Sequence, residues 1–181
     1  MFARTERLLL RPAWPEDAGA LALALADARV ARMLARIPHP YTLDDAVART
    51  LEPRAADEPR FLIDSLAGSE PALIGGIGIA DHDGEGPQFH YWLTPAAWGR
   101  GYATEDGHAV IAMACHALPL ARLGAWHFAD NPASGKVLRK LGFRPTGTMM
   151  QRPSAARNDP APSIEYALDL DEERCPVAIA A

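Results

Sequence analysis

The sequence is short of cysteine, of basic charge and of long apolar runs, and each shortage excludes something. Two cysteines, Cys115 and Cys175, in 181 residues cannot build a disulfide scaffold, and no C-x-x-C spacing of a metal site occurs. Cys115 falls in an apolar helical stretch, so it is expected to be buried and reduced, as in a cytoplasmic protein. Lysine and arginine number 18 against 23 acids, a formal net charge of −5. Nucleic acid is therefore not expected as a partner, since an acidic chain would need a strong local basic patch to bind it. No run approaches the roughly 18 apolar residues that cross a bilayer, and "MFARTERLLLRP" holds too short an apolar segment for a signal peptide. The expectation is a soluble cytoplasmic protein, residues 1–181 forming one domain, with no metal and no membrane partner. Hydrophobic residues at 49% and charged residues at 23% suit such a domain.

What is present is a succession of strand and helix signals. "RLLLRP" reads as a first strand ended by Pro12. Pro15 and the two acids after it open a helix expected over 14–34, "WPEDAGALALALADARVARML". Thr42, ahead of Asp44 and Asp45, opens a second helix. Runs at 60–66, 72–80 and 87–95 read as strands, the last two joined through a hairpin turn, "DHDGEG". Apolar and small residues recur at helical spacing over 103–118, and Pro119 closes that helix. "GAWHFAD" is a further strand, "PASGKVLRKLG" a helix ending at Gly142, and "SIEYALDL" a final strand. "RPSAARNDPAPS", 152–163, reads as a loop or hairpin excursion. The fold class is mixed α/β with a mainly antiparallel first half. Phe2, Trp14, Phe61 and Trp126 are expected in the core; His82, between two aspartates, belongs to a turn.

The stretch "AAWGRGYATED", 96–106, places two glycines and an arginine at the mouth of a helix. Glycines there let consecutive amides point into one concavity, to which the helix N-terminus adds partial positive charge, a cradle for phosphates. The same glycines also suit a plain strand-to-helix turn. A dinucleotide fingerprint fails, because "GRGYAT" ends in Thr104 and no acid stands about twenty residues on. A P-loop fails too, because "GKV" lacks the hydroxyl residue after lysine.

A third motif fits. The loop resembles the acyl-CoA pyrophosphate loop of the GNAT superfamily of N-acetyltransferases, Q/R-x-x-G-x-G/A, with Gly101 and Ala103 in its last two positions and Trp98 in place of Gln or Arg. "YWLTPAAWGRGYATE" is similar to the branch containing ribosomal-protein N-terminal acetyltransferases. "TERLLLRP" and "DNPASGKVLRKLGF" extend the resemblance over almost the whole chain.

The resemblance implies a GNAT fold whose strand 88–93 splays from strand 123–129, with acetyl-CoA as co-substrate in the opening. Trp98, Gly99, Arg100, Gly101, Tyr102, Ala103 and Thr104 would hold the pyrophosphate. A backbone amide on strand 88–93, whose last residue Leu93 belongs to the cofactor-binding set, would polarise the acetyl carbonyl. Asn131 would cap its helix and contact the pantetheine arm. Lys136, Arg139, Lys140, Arg144 and Arg100 are candidates for the 3′-phosphate, with a solvated helix face as the other reading.

Two departures matter. Leu138 stands where many relatives carry an acid tyrosine, and Ser134, three residues after the asparagine, would assist thiolate departure instead, unless it only braces its helix turn. Gln88 replaces an acid, leaving His90, on one strand face with Gln88 and Trp92, as candidate base; a packed strand histidine is the alternative, and Glu105 or His127 would come next. His127 faces either cleft or core. The implied activity is direct transfer of acetyl to a primary amine, either a protein N-terminus or a small molecule, without an acyl-enzyme. An acyl-CoA-binding module with little or no catalysis is the alternative, and a homodimer is left open.

Overall fold

In the computed structural model, which describes residues 2–53, 58–81 and 84–170, the chain opens as a narrow hairpin. Strand β1 (Ala3–Arg4) lies antiparallel to β2 (Leu8–Arg11), whose Leu8 and Leu10 alternate into the core. A 3₁₀ turn at Pro15–Asp17 leads into helix α1 (Ala18–Leu25). The single helix expected over 14–34 is broken at Asp27. That residue has extended backbone, its carboxylate accepts the Arg29 amide, and a short helix α2 (Ala28–Ala31) starts there. A short acidic side chain competes for backbone donors, so it begins helices better than it continues them. Helix α3 (Leu43–Leu51) starts at Thr42 as expected, with a reciprocal capping box between Thr42 and Asp45.

Strands β3 (Arg60–Ser65), β4 (Ala72–Ala80) and β5 (Gln88–Leu93) form an antiparallel meander. Then come α4 (Tyr102–Ala117), β6 (Arg122–Phe128), α5 (Pro132–Lys140), β7 (Arg144–Arg152) and β8 (Ala161–Asp169). One sheet holds all eight strands in the order β1-β2-β3-β4-β5-β6-β8-β7. Every neighbouring pair is antiparallel except β5 and β6, which run parallel and meet in register only at Gln88 and Gly124. Consecutive strand residues face opposite sides, and the core divides accordingly. Ile63, Ile77 and Phe89 pack with α4 and α5, whereas Leu62 packs with α1 and α3.

Strand β7 has no counterpart in the sequence reading, for a physical reason. Of its nine residues only Arg152 is buried, so no apolar alternation marks it. Arg152 Nε donates to Glu165 at 3.1 Å, its Nη2 to Glu85 at 2.7 Å, and the guanidinium lies 4.8 Å from the Trp126 ring centroid. Strand β8 begins at Ala161, inside the stretch expected as loop. The remaining loop docks on the segment after α2: Ser154 Oγ donates to the Leu34 carbonyl at 2.7 Å and the Ala155 amide to Ala35 at 2.8 Å.

Four burial expectations are corrected. Phe2 and Trp14 are exposed and meet each other, ring centroids 6.0 Å apart, and Trp126 is only partly buried; Phe61 is in the core. Cys115 is half-buried and disulfide-bonded rather than a buried thiol; Cys175 lies outside the described residues, as do His82 and Asp83 of the β4–β5 turn.

Asp106 is the anomaly of the core. It is fully buried on α4, and neither carboxylate oxygen has a hydrogen-bond partner among the described residues. Burial, with Glu105 adding repulsion, pushes its pKa up to about 8, so the fold holds it protonated at neutral pH. A carboxyl raised above its unfolded pKa gives stability that is present at acid pH and lost as pH climbs through the folded value. Replacing Asp106 with Ala should therefore raise the melting temperature at pH 9 by at least about 4 °C more than at pH 5. An equal or smaller gain at pH 9 would contradict a neutral, desolvated carboxyl.

Candidate active site

The site begins where β5 leaves β6. The amide of Thr94 donates to the Ile74 carbonyl of β4 at 2.8 Å. Strand amides alternate in direction, so the amides of Leu93 and Tyr91 point the other way, toward β6. Beyond Gln88 and Gly124 no β6 residue pairs with β5, and these amides line an opened edge. Gln88 also accounts for the glycine opposite: a Cβ on Gly124 would lie within 2.7 Å of three Gln88 side-chain atoms.

The glycine turn follows directly. Thr94 and Pro95 lead through a 3₁₀ turn to Trp98, whose indole donates to the Leu93 carbonyl at 2.8 Å and fastens the loop to the end of β5. Gly99 and Gly101 have φ of 72° and 81°, conformations that side chains disfavour, and Gly101 is the N-cap of α4. The first turn of α4 leaves amides that its own helix cannot satisfy, aimed with the helix dipole at the same opening.

The chain's N-terminal hairpin clamps this loop. Arg7 donates through Nε to Glu105 at 2.8 Å, pairs with it again through Nη2 at 2.6 Å, and reaches the Arg100 carbonyl at 3.1 Å through Nη1. Thr5 and the Arg7 amide also donate to Glu105, and the Arg7 guanidinium lies over the Tyr102 ring. Burial pushes the Glu105 carboxyl up, but these bonds outweigh it and hold the pKa below the usual range. Glu105 is thus a structural anchor and a poor proton acceptor.

On the other wall, Asn131 caps α5, accepting the Ser134 amide at 3.3 Å. The Ser134 hydroxyl is 3.0 Å from the hydroxyl of Tyr91 on β5. Sequence reading passed over Tyr91, because a contact spanning 43 positions leaves no local signature. His90 and Trp92 face the opposite side, over the glycines of β4: a Cβ on Gly78 would come within 3.1 Å of His90 Nε2, and one on Gly76 within 2.6 Å of Trp92 Nε1.

All the expected cofactor-binding and catalytic residues except Arg100, Arg139 and Arg144 line one cavity of about 830 Å³. Arg100 is exposed, and Arg139 donates instead to Tyr166 at 2.9 Å. Lys136 and Lys140 are the basic residues of α5 on the cavity wall, while Arg144 is exposed at the start of β7. The open question of His127 is answered: it is 6% exposed, bonded to the Phe128 carbonyl at 2.8 Å and packed on Tyr166 between β6 and β8. It touches the cavity wall, yet the residue belongs to the core.

Comparison with known proteins gives this arrangement its class. Residues 7–144 match the acetyltransferase (GNAT) domain family. The chain is 29% identical over 153 residues to the uncharacterized N-acetyltransferase YoaA of Bacillus subtilis (strain 168), covering 81% of this chain and 85% of that one. A GNAT-family acetyltransferase structure from Bacillus anthracis superposes with a TM-score of 0.79 at 25% identity, over 95% of this chain and all of that one. The structure of RimL, a ribosomal L7/L12 alpha-N-protein acetyltransferase in complex with coenzyme A, does so with a TM-score of 0.80 at 18% identity, over 94% and 99%. The chain belongs to the GNAT acetyltransferase family, and it is an N-acetyltransferase.

Because Arg7 ties loop to strand, Arg7→Ala should speed amide exchange at Thr104 and Glu105, whose amides donate to the Gly101 carbonyl, by about tenfold, a local opening free energy lower by about 1.4 kcal/mol. Exchange in β3 should stay as it was. Unchanged exchange in the loop would show that Arg7 does not hold it.

Proposed function

We propose that this N-acetyltransferase moves the acetyl group of acetyl-CoA directly onto a primary amine in the β5–β6 opening. The observation that carries the reading is the continuity of two donor sets: the amides of the glycine turn and first turn of α4 adjoin the outward amides of Leu93 and Tyr91 on one cavity wall. The first set suits a pyrophosphate, with Trp98, Gly99, Gly101, Tyr102, Ala103 and Thr104 around it. The second suits the carbonyl oxygen of an acetyl thioester as it gains charge. Asn131 serves the pantetheine arm, and Lys136 or Lys140 the 3′-phosphate.

In the step itself the neutral amine attacks the acetyl carbon, and the carbonyl electrons move to oxygen, stabilised by a β5 amide. Collapse of the tetrahedral species breaks the C–S bond, sulfur keeping the electron pair. Ser134, on the cofactor side of β5, donates a hydrogen bond to the departing thiolate. His90, on the opposite face, accepts the proton that the ammonium form of the acceptor must lose, directly or through one water, and the second proton, shed by the nitrogen once it has bonded to carbon, passes through water to the departing sulfur. The two faces of one strand thus separate acid from base. The name of the RimL relative gives a protein alpha-amine as its acceptor, which makes an N-terminal peptide the first acceptor to try here, with small amines as the second class. The acceptor enters between the α2–α3 segment and the cavity mouth that the 153–160 loop buttresses. A cytoplasmic setting, expected from composition, goes with this reading; the disulfide at Cys115 pulls the other way.

Coenzyme A should raise the melting temperature in a concentration-dependent way, and Gly101→Val, strained at φ 81°, should remove most of that shift. Thermal shift and calorimetry with no response to millimolar coenzyme A would defeat the binding reading. Binding without turnover on a panel of peptides and small amines would instead favour an acyl-CoA-binding module.

For the base, His90→Gln should retain acetyl-CoA binding and lose the rising acid limb of kcat/KM against pH. A variant that keeps both rate and pH profile would exclude His90.

A further inference from the structure

The contact between Tyr91 and Ser134 has chemical content beyond packing. Both residues line the cavity, one on the cofactor-side face of β5 and the other in the first turn of α5, and their hydroxyl oxygens are 3.0 Å apart. Two hydroxyls can bond in either sense, but the phenol is the stronger acid and so the better donor. Among the described residues Tyr91 Oη has this one partner; with its hydrogen on Ser134, no buried donor is left over. The serine then has its own hydrogen free of Tyr91, and no protein acceptor takes it among the described residues. Leu138, where relatives place an acid tyrosine, is 2% exposed and apolar, so α5 offers no second hydroxyl from that position.

We propose that Tyr91 is a positioning residue: by donating to Ser134 Oγ it fixes the serine rotamer and turns the serine hydrogen toward the opening, where the thiolate leaves. The inference rests on the role given to Ser134 above. Tyr91 is not the proton source. Its hydrogen is already committed, and burial, only partly offset by the serine bond, pushes its pKa above the usual tyrosine value. That same burial keeps it a donor throughout the working pH range. Without it, the Ser134 hydroxyl rotates among its staggered wells and spends part of its time bonded back to its own helix, as serines in first turns do.

The test is a double-mutant cycle read by single-turnover acetyl transfer, where chemistry sets the rate. Tyr91→Phe keeps the ring that packs 6.1 Å from Phe89 and removes only the hydroxyl. Its rate should fall about tenfold, the scale of a lost orienting contact, with KM for acetyl-CoA within about twofold and the same fractional loss from pH 6 to 9. Added to Ser134→Ala, Tyr91→Phe should cost nothing further, because the group it positions is gone. A wild-type rate in Tyr91→Phe, beside an impaired Ser134→Ala, would overturn the positioning role and leave Ser134 standing. So would losses that multiply in the double variant, which would make Tyr91 act on its own. A wild-type rate in Ser134→Ala would defeat the leaving-group assignment itself, and this inference with it. Melting temperatures within about 2 °C of wild type for Tyr91→Phe exclude a folding defect.

Discussion

The structure turns on a sheet that stops pairing. Parallel strands β5 and β6 meet at Gln88 and Gly124 and then separate, and almost everything functional is a consequence. An open sheet edge inside a domain would ordinarily leave buried amides unsatisfied, at a cost of about 1–3 kcal/mol each. Here the amides of Tyr91 and Leu93, which have no strand partner on β6 among the described residues, face a cavity, so they are available to a ligand that can satisfy them. The wedge also decides which way the strand's side chains work. Phe89 and Tyr91 turn to the side of α4 and α5, and His90 and Trp92 to the side of α1 and α3. On the reading proposed above, leaving-group chemistry falls on the side of one face of this strand and acceptor chemistry on the side of the other.

The wedge is useful only if the glycine turn holds its shape, and that constraint is met from far away in sequence. Gly99 and Gly101 supply the positive φ angles, but freedom to adopt a conformation is also freedom to leave it. The Arg7–Glu105 pair and the Trp98 indole bond to Leu93 remove that freedom, one from the N-terminal hairpin and one from β5. The anchor is acidic, yet it sits within the first turn of α4, where the helix dipole favours a carboxylate, and Arg7 balances its charge. Asp106, one residue on, has no such partner and stays protonated.

Much of this was legible in the chain. Short apolar runs found β2 to β6 and β8, a Pro signal found the 3₁₀ turn that leads into α1, Thr42 found the start of α3, and the glycine motif pointed to the loop that joins β5 to α4. What escaped had physical reasons. Strand β7 buries one arginine rather than an apolar face, so it carries no periodic signal. The break at Asp27 depends on whether an aspartate bonds its own backbone, which composition leaves open. Arg139 resembled a phosphate ligand by position and charge, but its guanidinium is taken by Tyr166 from a strand 27 residues away. Tyr91 was passed over although its partner Ser134 was named, because only the approach of β5 to α5 brings the two hydroxyls together. Glu105, by contrast, had the right chemistry for a base and the wrong neighbours.

The central claim is that the unpaired edge of β5 receives the acetyl thioester while the glycine turn holds its phosphates. Site-resolved amide hydrogen exchange with and without acetyl-CoA tests both halves at once. Saturating acetyl-CoA should slow exchange at Leu93 and Tyr91 together with Gly101–Thr104 by at least about tenfold, leaving β2 and β3 unchanged. Protection confined to the glycine turn, with Leu93 and Tyr91 exchanging as in the free protein, would contradict it.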